Sequence, residues 1–416
     1  MKRLVVRRMV WARYHLLAWL LLVPIPVVHC LGDGRIGLLF VGDLSNAGAF
    51  WLTRSDPLFR STFVPATMRD FMLFGPMPAP TTDDLARLIR LHMPRTYADV
   101  VRNYDVIVFF EANSYAVAPH IQKLANAVSE GGLGLLMEGG YQSFGGHAGH
   151  PSWGDTPIGP LLPTEDIPGG WHDSLEHRFV VDKPEQEYMS SIPWREETLL
   201  RGQVWDHNLL NVRPGAEMLA HVESPGCNSP MMVTWRLGLE GGSRTFSCAS
   251  EWLWQWVAMP FWKHQYHACS NLVIYLDDRP VPQDLVLVEA ARSEILSFAT
   301  RRSLLLSLLE FCESFGANTN RLTAKLEEIE QTAAEGLPQY LNLDFEAALS
   351  SYRDAGKMLE KLEIEAMNLK QMALIWVYVV EWLSVSGTAI ACGVVIWWVM
   401  VRKALYRPVK VTRLKY

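Results

Sequence analysis

Between Trp382 and Val401 the chain carries 20 residues without a formal charge. About 20 apolar residues of helix cross the hydrocarbon core of a bilayer. A helix is the one single-segment structure that satisfies its own backbone there. This stretch therefore folds as a spanning helix, and what precedes it is held at a membrane. Arg402, Lys403, Arg407, Lys410, Arg413 and Lys415 follow at once, which puts that end in the cytoplasm. Glu381 belongs at the outer edge of the span beside Trp382, because a central carboxylate costs about 2.5–3.5 kcal/mol on insertion scales. At the other end, Lys2, Arg3, Arg7, Arg8 and Arg13 precede the uncharged segment Leu16 to Val28, which Pro24 and Pro26 break. Residues 1–30 read as a signal peptide, with an uncleaved N-terminal anchor as the alternative. Both basic clusters stay inside, so the residues between them lie outside the cytoplasm.

The region between has a βαβ rhythm. Arg35 to Gly42 is a compact apolar run that ends in Gly-Asp, and Ser61 to Met68 offers a second strand. Thr81 to Leu91 has helical spacing, with Asp83 and Asp84 suited to its first turn. Tyr104 to Glu111 reads as a buried strand and Ala118 to Ser129 as an amphipathic helix. The apolar run Leu133 to Met137 then breaks into Gly139 and Gly140. Alternating strands and helices predict a parallel sheet covered on both faces. Ligands gather at the carboxyl ends of strands in such sheets. The turn after Met137 is therefore the place to look for a site, and Glu138, Gly139, Gly140, Tyr141, Gln142, Gly145 and Gly146 are the ligand-binding candidates.

Gly146 to Pro184 is dense in glycine and proline and predicts a long ordered loop. Ala216 to Glu223, Met231 to Leu237 and Arg244 to Cys248 read as strands, the last two as a hairpin around Gly238 to Gly242. Phe261 to Leu276 is a closing helix. From Asp284 glycine becomes scarce and Leu, Ala, Glu, Lys and Arg dominate. Leu285 to Phe315 and Asn318 to Ala334 predict helices, interrupted at Gly336, Leu337 and Pro338. Leu343 to Lys370 predicts a last helix that runs straight into the span. The organisation is an α/β domain over 31–282, a helical stalk over 283–371, a transmembrane helix within 372–401 and a basic tail over 402–416. The stalk's apolar faces need a partner: each other, a second copy, or another membrane protein.

The first domain resembles the class I glutamine amidotransferase-like fold, and more narrowly its membrane-anchored family. The stretches that carry this are Tyr104 to Asn113, Gly131 to Gly146, Thr156 to Pro163 and the single C-terminal span. The resemblance implies a flavodoxin-like parallel sheet over Arg35 to Asp278. It also implies a nucleophilic Cys in a G-x-C-x-G turn, activated by a His that a carboxylate orients. This chain departs from both. The turn offers Gly140, Tyr141 and Gln142, and the nearest cysteines, Cys227 and Cys248, fall on other predicted strands. After the last strand Ala249-Ser250-Glu251-Trp252 takes the place of a His-x-Glu pair. A phenol, with a pKa near 10, is a poor substitute at Tyr141. Hydrolysis of glutamine by the family's mechanism is not expected.

Other chemistry can be weighed residue by residue. Ser143 is the rival nucleophile, because Tyr141 to Gly145 approximates a G-x-S-x-G elbow with its first glycine replaced. His147, His150 or His172 would serve as base and Asp155, Glu165 or Asp173 as orienter. The alternative is that Ser143 hydrogen-bonds turn backbone. His147 with His150 and His264 with His267 have the spacing of metal pairs but no third ligand in sequence, so no metal or cofactor is expected. The cysteines form no CxxC. Outside the cytoplasm a disulfide among Cys227, Cys248 and Cys269 is allowed, as are three free thiols. A net charge of −6 gives no reason to expect nucleic acid. The leading reading is a binding or assembly module outside the cytoplasm. A degenerate amidotransferase or a serine hydrolase using Ser143 is the alternative.

Overall fold

The computed structural model describes residues 33–44, 48–67, 82–173, 178–194, 206–238, 242–251 and 262–405. The segment expected as a signal peptide, Trp252, Trp254, Trp256 and the residues after 405 lie outside the described residues. The chain divides into two compact units, Met1–Leu285 and Val286–Tyr416.

In the first unit the strands are β1 (Ile36–Gly42), β2 (Phe59–Pro65), β3 (Val106–Phe110), β4 (Gly134–Glu138), β5 (Thr164–Asp173), β6 (Arg178–Val181), β7 (Asp206–Val212), β8 (Glu217–Ser224), β9 (Cys227–Arg236) and β10 (Arg244–Cys248). The helices are α1 (Thr82–His92), α2 (Tyr97–Asn103), α3 (Ser114–Ser129), α4 (Glu187–Ser190) and α5 (Gln265–Leu276). The main sheet runs β2-β1-β3-β4-β10-β9-β8-β6. From β2 to β10 every pairing is parallel, and from β10 to β6 every pairing is antiparallel. Every residue of β1, β3 and β4 is buried, as expected for strands covered on both faces. This is a mixed α/β unit with a parallel-dominated sheet.

Three readings are corrected here. The predicted loop of residues 146–184 contains β5 and β6. β5 pairs antiparallel with β7, and its register shifts between Asp166 and Trp171. Pro168, Gly169 and Gly170 fall in that bulge, so the breakers that suggested a loop interrupt a strand without ending it. Second, α3 starts at Ser114, before the expected Ala118. The Asn113 side chain accepts the amides of Tyr115 and Ala116 at 3.1 and 3.2 Å, and this cap outweighs Pro119 in the second turn.

The third correction lies in the second unit. It holds α6 (Leu285–Ser314), α7 (Asn320–Leu341) and α8 (Phe345–Leu405). The expected break at Gly336 to Pro338 does not occur; α7 runs through Pro338 to Leu341. A Cβ on Gly336 would lie 3.0 Å from Ser351 and Tyr352 side-chain atoms, so its glycine permits close approach of α8. The helices bury Ile295, Phe298, Leu326, Ile329, Leu359 and Leu362 among others. Arg301 grips Glu363 with two bonds of 2.8 and 2.9 Å, and Lys325 reaches Glu365 at 2.5 Å. α8 continues unbroken for 61 residues, about 92 Å at 1.5 Å per residue. Its far part is long and apolar enough to cross a membrane, and none of that stretch is buried.

Asp277, just after α5, supplies a pH test. Its side chain is 8% exposed, with Arg279 Nε 2.6 Å from Oδ2. Burial first, and then the neighbouring Asp105, raise its pKa to about 7, above the unfolded value near 3.9. A raised carboxyl stabilises the fold below the unfolded pKa, and that contribution is lost as pH climbs toward 7. Melting temperatures at pH 5 and pH 8 should therefore differ less in Asp277→Asn than in the parent. An equal difference would show that Asp277 does not titrate in this window.

Candidate functional site

The carboxyl ends of β3, β4 and β10 meet at one place. Register aligns Phe110 with Glu138 and Cys248 with Glu138. The turn that follows β4 is braced from β3. The Glu111 carboxylate accepts the Tyr141 N–H on Oε1 at 2.8 Å and the Gln142 N–H on Oε2 at 2.9 Å. In return the Glu111 N–H donates to Ser143 Oγ at 3.2 Å. A Cβ on Gly140 would fall 2.3 Å from that carboxylate, and one on Gly139 would fall 2.3 Å from Ala249 O. Both glycines are there because other chain segments pass too close for a side chain.

More groups close the turn. Asn208 on β7 receives the Gly140 N–H at 2.9 Å and donates to Gly140 O at 3.1 Å. Gln142 donates to Thr67 Oγ1 at 2.6 Å and accepts from Asn113 at 3.1 Å. The fully buried Trp153 donates to the carbonyls of Ala112 and Gln142, both at 3.0 Å. Gly146 N–H bonds Ser143 O, and Gly145 O accepts the Gly169 N–H, both at 3.0 Å. Glu111, Asn208 and Trp153 escaped the sequence reading. Glu111 closes a quoted strand but gives no sign of reaching the next turn, and Asn208 lies on a strand that was not predicted.

The rival nucleophile is not presented for attack. Ser143 is 1% exposed, and its Oγ has the Glu111 amide as partner with no imidazole within bonding distance. A nucleophile elbow gives its strained backbone to the attacking residue. Here the left-handed φ of 48° belongs to Phe144, the next residue, and to Glu111. His147 is half-buried in an aromatic group, with ring centroids 5.2 Å from Tyr141 and 5.1 Å from Trp171. His150 is exposed. His172 meets Ser224 Oγ at 2.9 Å instead, and Glu165 pairs with Arg213 at 2.8 Å.

Glu138 is the anomaly of the site. It is fully buried, and among the described residues neither carboxyl oxygen has a hydrogen-bond partner. Burial, reinforced by Glu251, holds its pKa well above the usual carboxylate range. The sequence placed Cys248 on a strand away from the turn; parallel pairing makes it the direct neighbour of Glu138. Burial and Glu138 push the Cys248 and Cys269 thiols up. A buried thiol so raised is a poor nucleophile.

The two strand-end glutamates should respond with opposite signs. Glu111→Gln loses one charge-assisted acceptor and turns an amide group toward a backbone N–H, a cost of about 2–3 kcal/mol. Glu138→Met replaces an unpartnered buried acid by an apolar chain of similar size, which should be neutral or stabilising by about 1–3 kcal/mol. Denaturant unfolding of the two variants decides. A stable Glu111→Gln, or a Glu138→Met that loses stability, would contradict these assignments.

The family model described as "Putative glutamine amidotransferase" matches residues 101–277, a span that includes the braced turn. Among solved structures, a cytoplasmic protein of Salmonella typhimurium LT2, STM1381, aligns at 16% identity and a TM-score of 0.41, covering 58% of this chain and 99% of that one. The mmIFT52 N-terminal domain aligns at 11% identity and a TM-score of 0.32, covering 58% and 96%. No curated protein sequence matches. The family match supports a glutamine amidotransferase-like domain, in a chain that also carries a helix able to cross a membrane.

Proposed function

We propose that this chain is a membrane-anchored amidotransferase-like domain that binds a ligand or partner outside the cytoplasm and does not hydrolyse glutamine. One observation carries the reading: the turn that would present a nucleophile spends its polar groups on its own brace. Ser143 Oγ takes the Glu111 amide, and the Tyr141 and Gln142 amides take the Glu111 carboxylate. Catalysis at such a turn needs a nucleophile and a base within hydrogen-bond reach, and donors free for a developing oxyanion. The half-buried rings of Tyr141, His147 and Trp171 form the accessible part of the site. An aromatic cluster of this kind, with His147 stacked on Trp171, suits a ligand that presents a flat surface.

The test is release of ammonia from glutamine by the purified full chain in detergent. No release above the buffer rate is expected, and Ser143→Ala should leave any ester hydrolysis unchanged. Glutamine-dependent ammonia that falls in Ser143→Ala or Cys248→Ser would sink the proposal. Topology is tested separately. Arg178, whose side chain is 78% exposed on β6, can be replaced by cysteine. A membrane-impermeant maleimide should label Arg178→Cys on intact cells. Labelling that needs permeabilised cells would place the domain in the cytosol.

A further inference from the structure

The opposite end of the same sheet holds a cleft of about 1060 Å³. It opens at the amino ends of β1, β3, β4 and β10, away from the braced turn. Five arginines line it: Arg35, Arg60, Arg102, Arg244 and Arg279. Their charges are nearly balanced by acids, but the pairing is uneven. On the α5 and β10 side, Arg244 pairs with Asp278 at 2.8 Å and Arg279 with Asp277 at 2.6 Å. On the β1, β2 and α2 side the guanidiniums are largely unspent. Arg35 has an outer contact of 3.5 Å to the half-exposed Asp33. Arg60 gives one N–H to Asn103 O at 2.8 Å. That bond carries Arg60 across to the end of α2, where Arg102 is the preceding residue. Arg102 is exposed, and the acid it acts on is Asp99, which Thr96 already holds through the helix cap. Facing these three stand Glu130, exposed on the rim, and Asp105, whose carboxylate accepts the Gly37 N–H at 2.7 Å.

We propose that this cleft binds a phosphate-bearing anion on Arg35, Arg60 and Arg102. Each guanidinium has five N–H donors in a planar fork. One fork fills the two oxygens of a carboxylate, whereas a phosphate group offers three oxygens and a second charge, which several forks can share. The cleft is large enough for the organic part of a phosphorylated small molecule or for a lipid headgroup. The anion is held by exposed side chains, so binding weakens as salt rises.

The experiment is a thermal melt of the full chain in detergent against two probes, inorganic pyrophosphate and micelles doped with phosphatidic acid, with phosphatidylcholine micelles as the blank. The parent is compared with Arg35→Ala/Arg102→Ala, two positions whose side chains carry no buried bond, and with Arg178→Ala on the distant edge strand β6. The parent and Arg178→Ala should rise in melting temperature with at least one probe, and the double variant should bind that probe about tenfold or more weakly. A response to pyrophosphate names a soluble phosphate. A response to phosphatidic acid alone names a lipid headgroup. No response to either probe, or an equal response in the double variant, overturns the proposal.

Discussion

One carboxylate sets the shape of the strand-end turn. Glu111 leaves β3 with a left-handed backbone and reaches the amides of Tyr141 and Gln142 beyond β4. Hydrogen bonds to a charged acceptor are about twice as strong as neutral ones, and the one to Gln142 is buried. The close approach of that carboxylate is also what forces glycine at position 140. Asn208 and Trp153 add their bonds to a turn whose course Glu111 already fixes. The geometry resembles a catalytic elbow in outline, but the interactions belong to a structural corner.

The two ends of the sheet therefore differ in kind. At the carboxyl end, the turn's polar groups are paired with one another, while Glu138 is a buried acid with a raised pKa beside two raised thiols. An unpartnered buried carboxyl lowers stability. At the amino end, five arginines line one cleft. In a parallel sheet the carboxyl end is the usual ligand face; in this chain the arginine-lined cleft lies at the opposite end.

How far the sequence could be read depended on whether a contact is local. Arg244 to Cys248 was legible to the residue, as the return strand of a hairpin around the glycines at 238–242. The passage of α8 into the apolar stretch was legible from composition. β5 was not, since Pro168-Gly169-Gly170 reads as loop unless a partner strand tolerates a bulge. Pro338 suggested a helix end, yet packing against α8 carries α7 three residues further. The residues around the site were visible as residues, but their relations were not. Cys248 lies 110 positions after Glu138 and only parallel pairing joins them. Ser143 looked like a nucleophile for the same reason: its partner, the Glu111 amide, is 32 residues away in sequence.

The central claim is that the turn after β4 is a rigid corner built on Glu111. Hydrogen exchange followed by mass spectrometry over peptides covering residues 138–144 tests it most directly. If the claim holds, the Tyr141 and Gln142 amides open only with the core of the domain, at a free energy close to that of global unfolding. Exchange of these amides at the rate of an exposed loop, with the β-strands still protected, would contradict it.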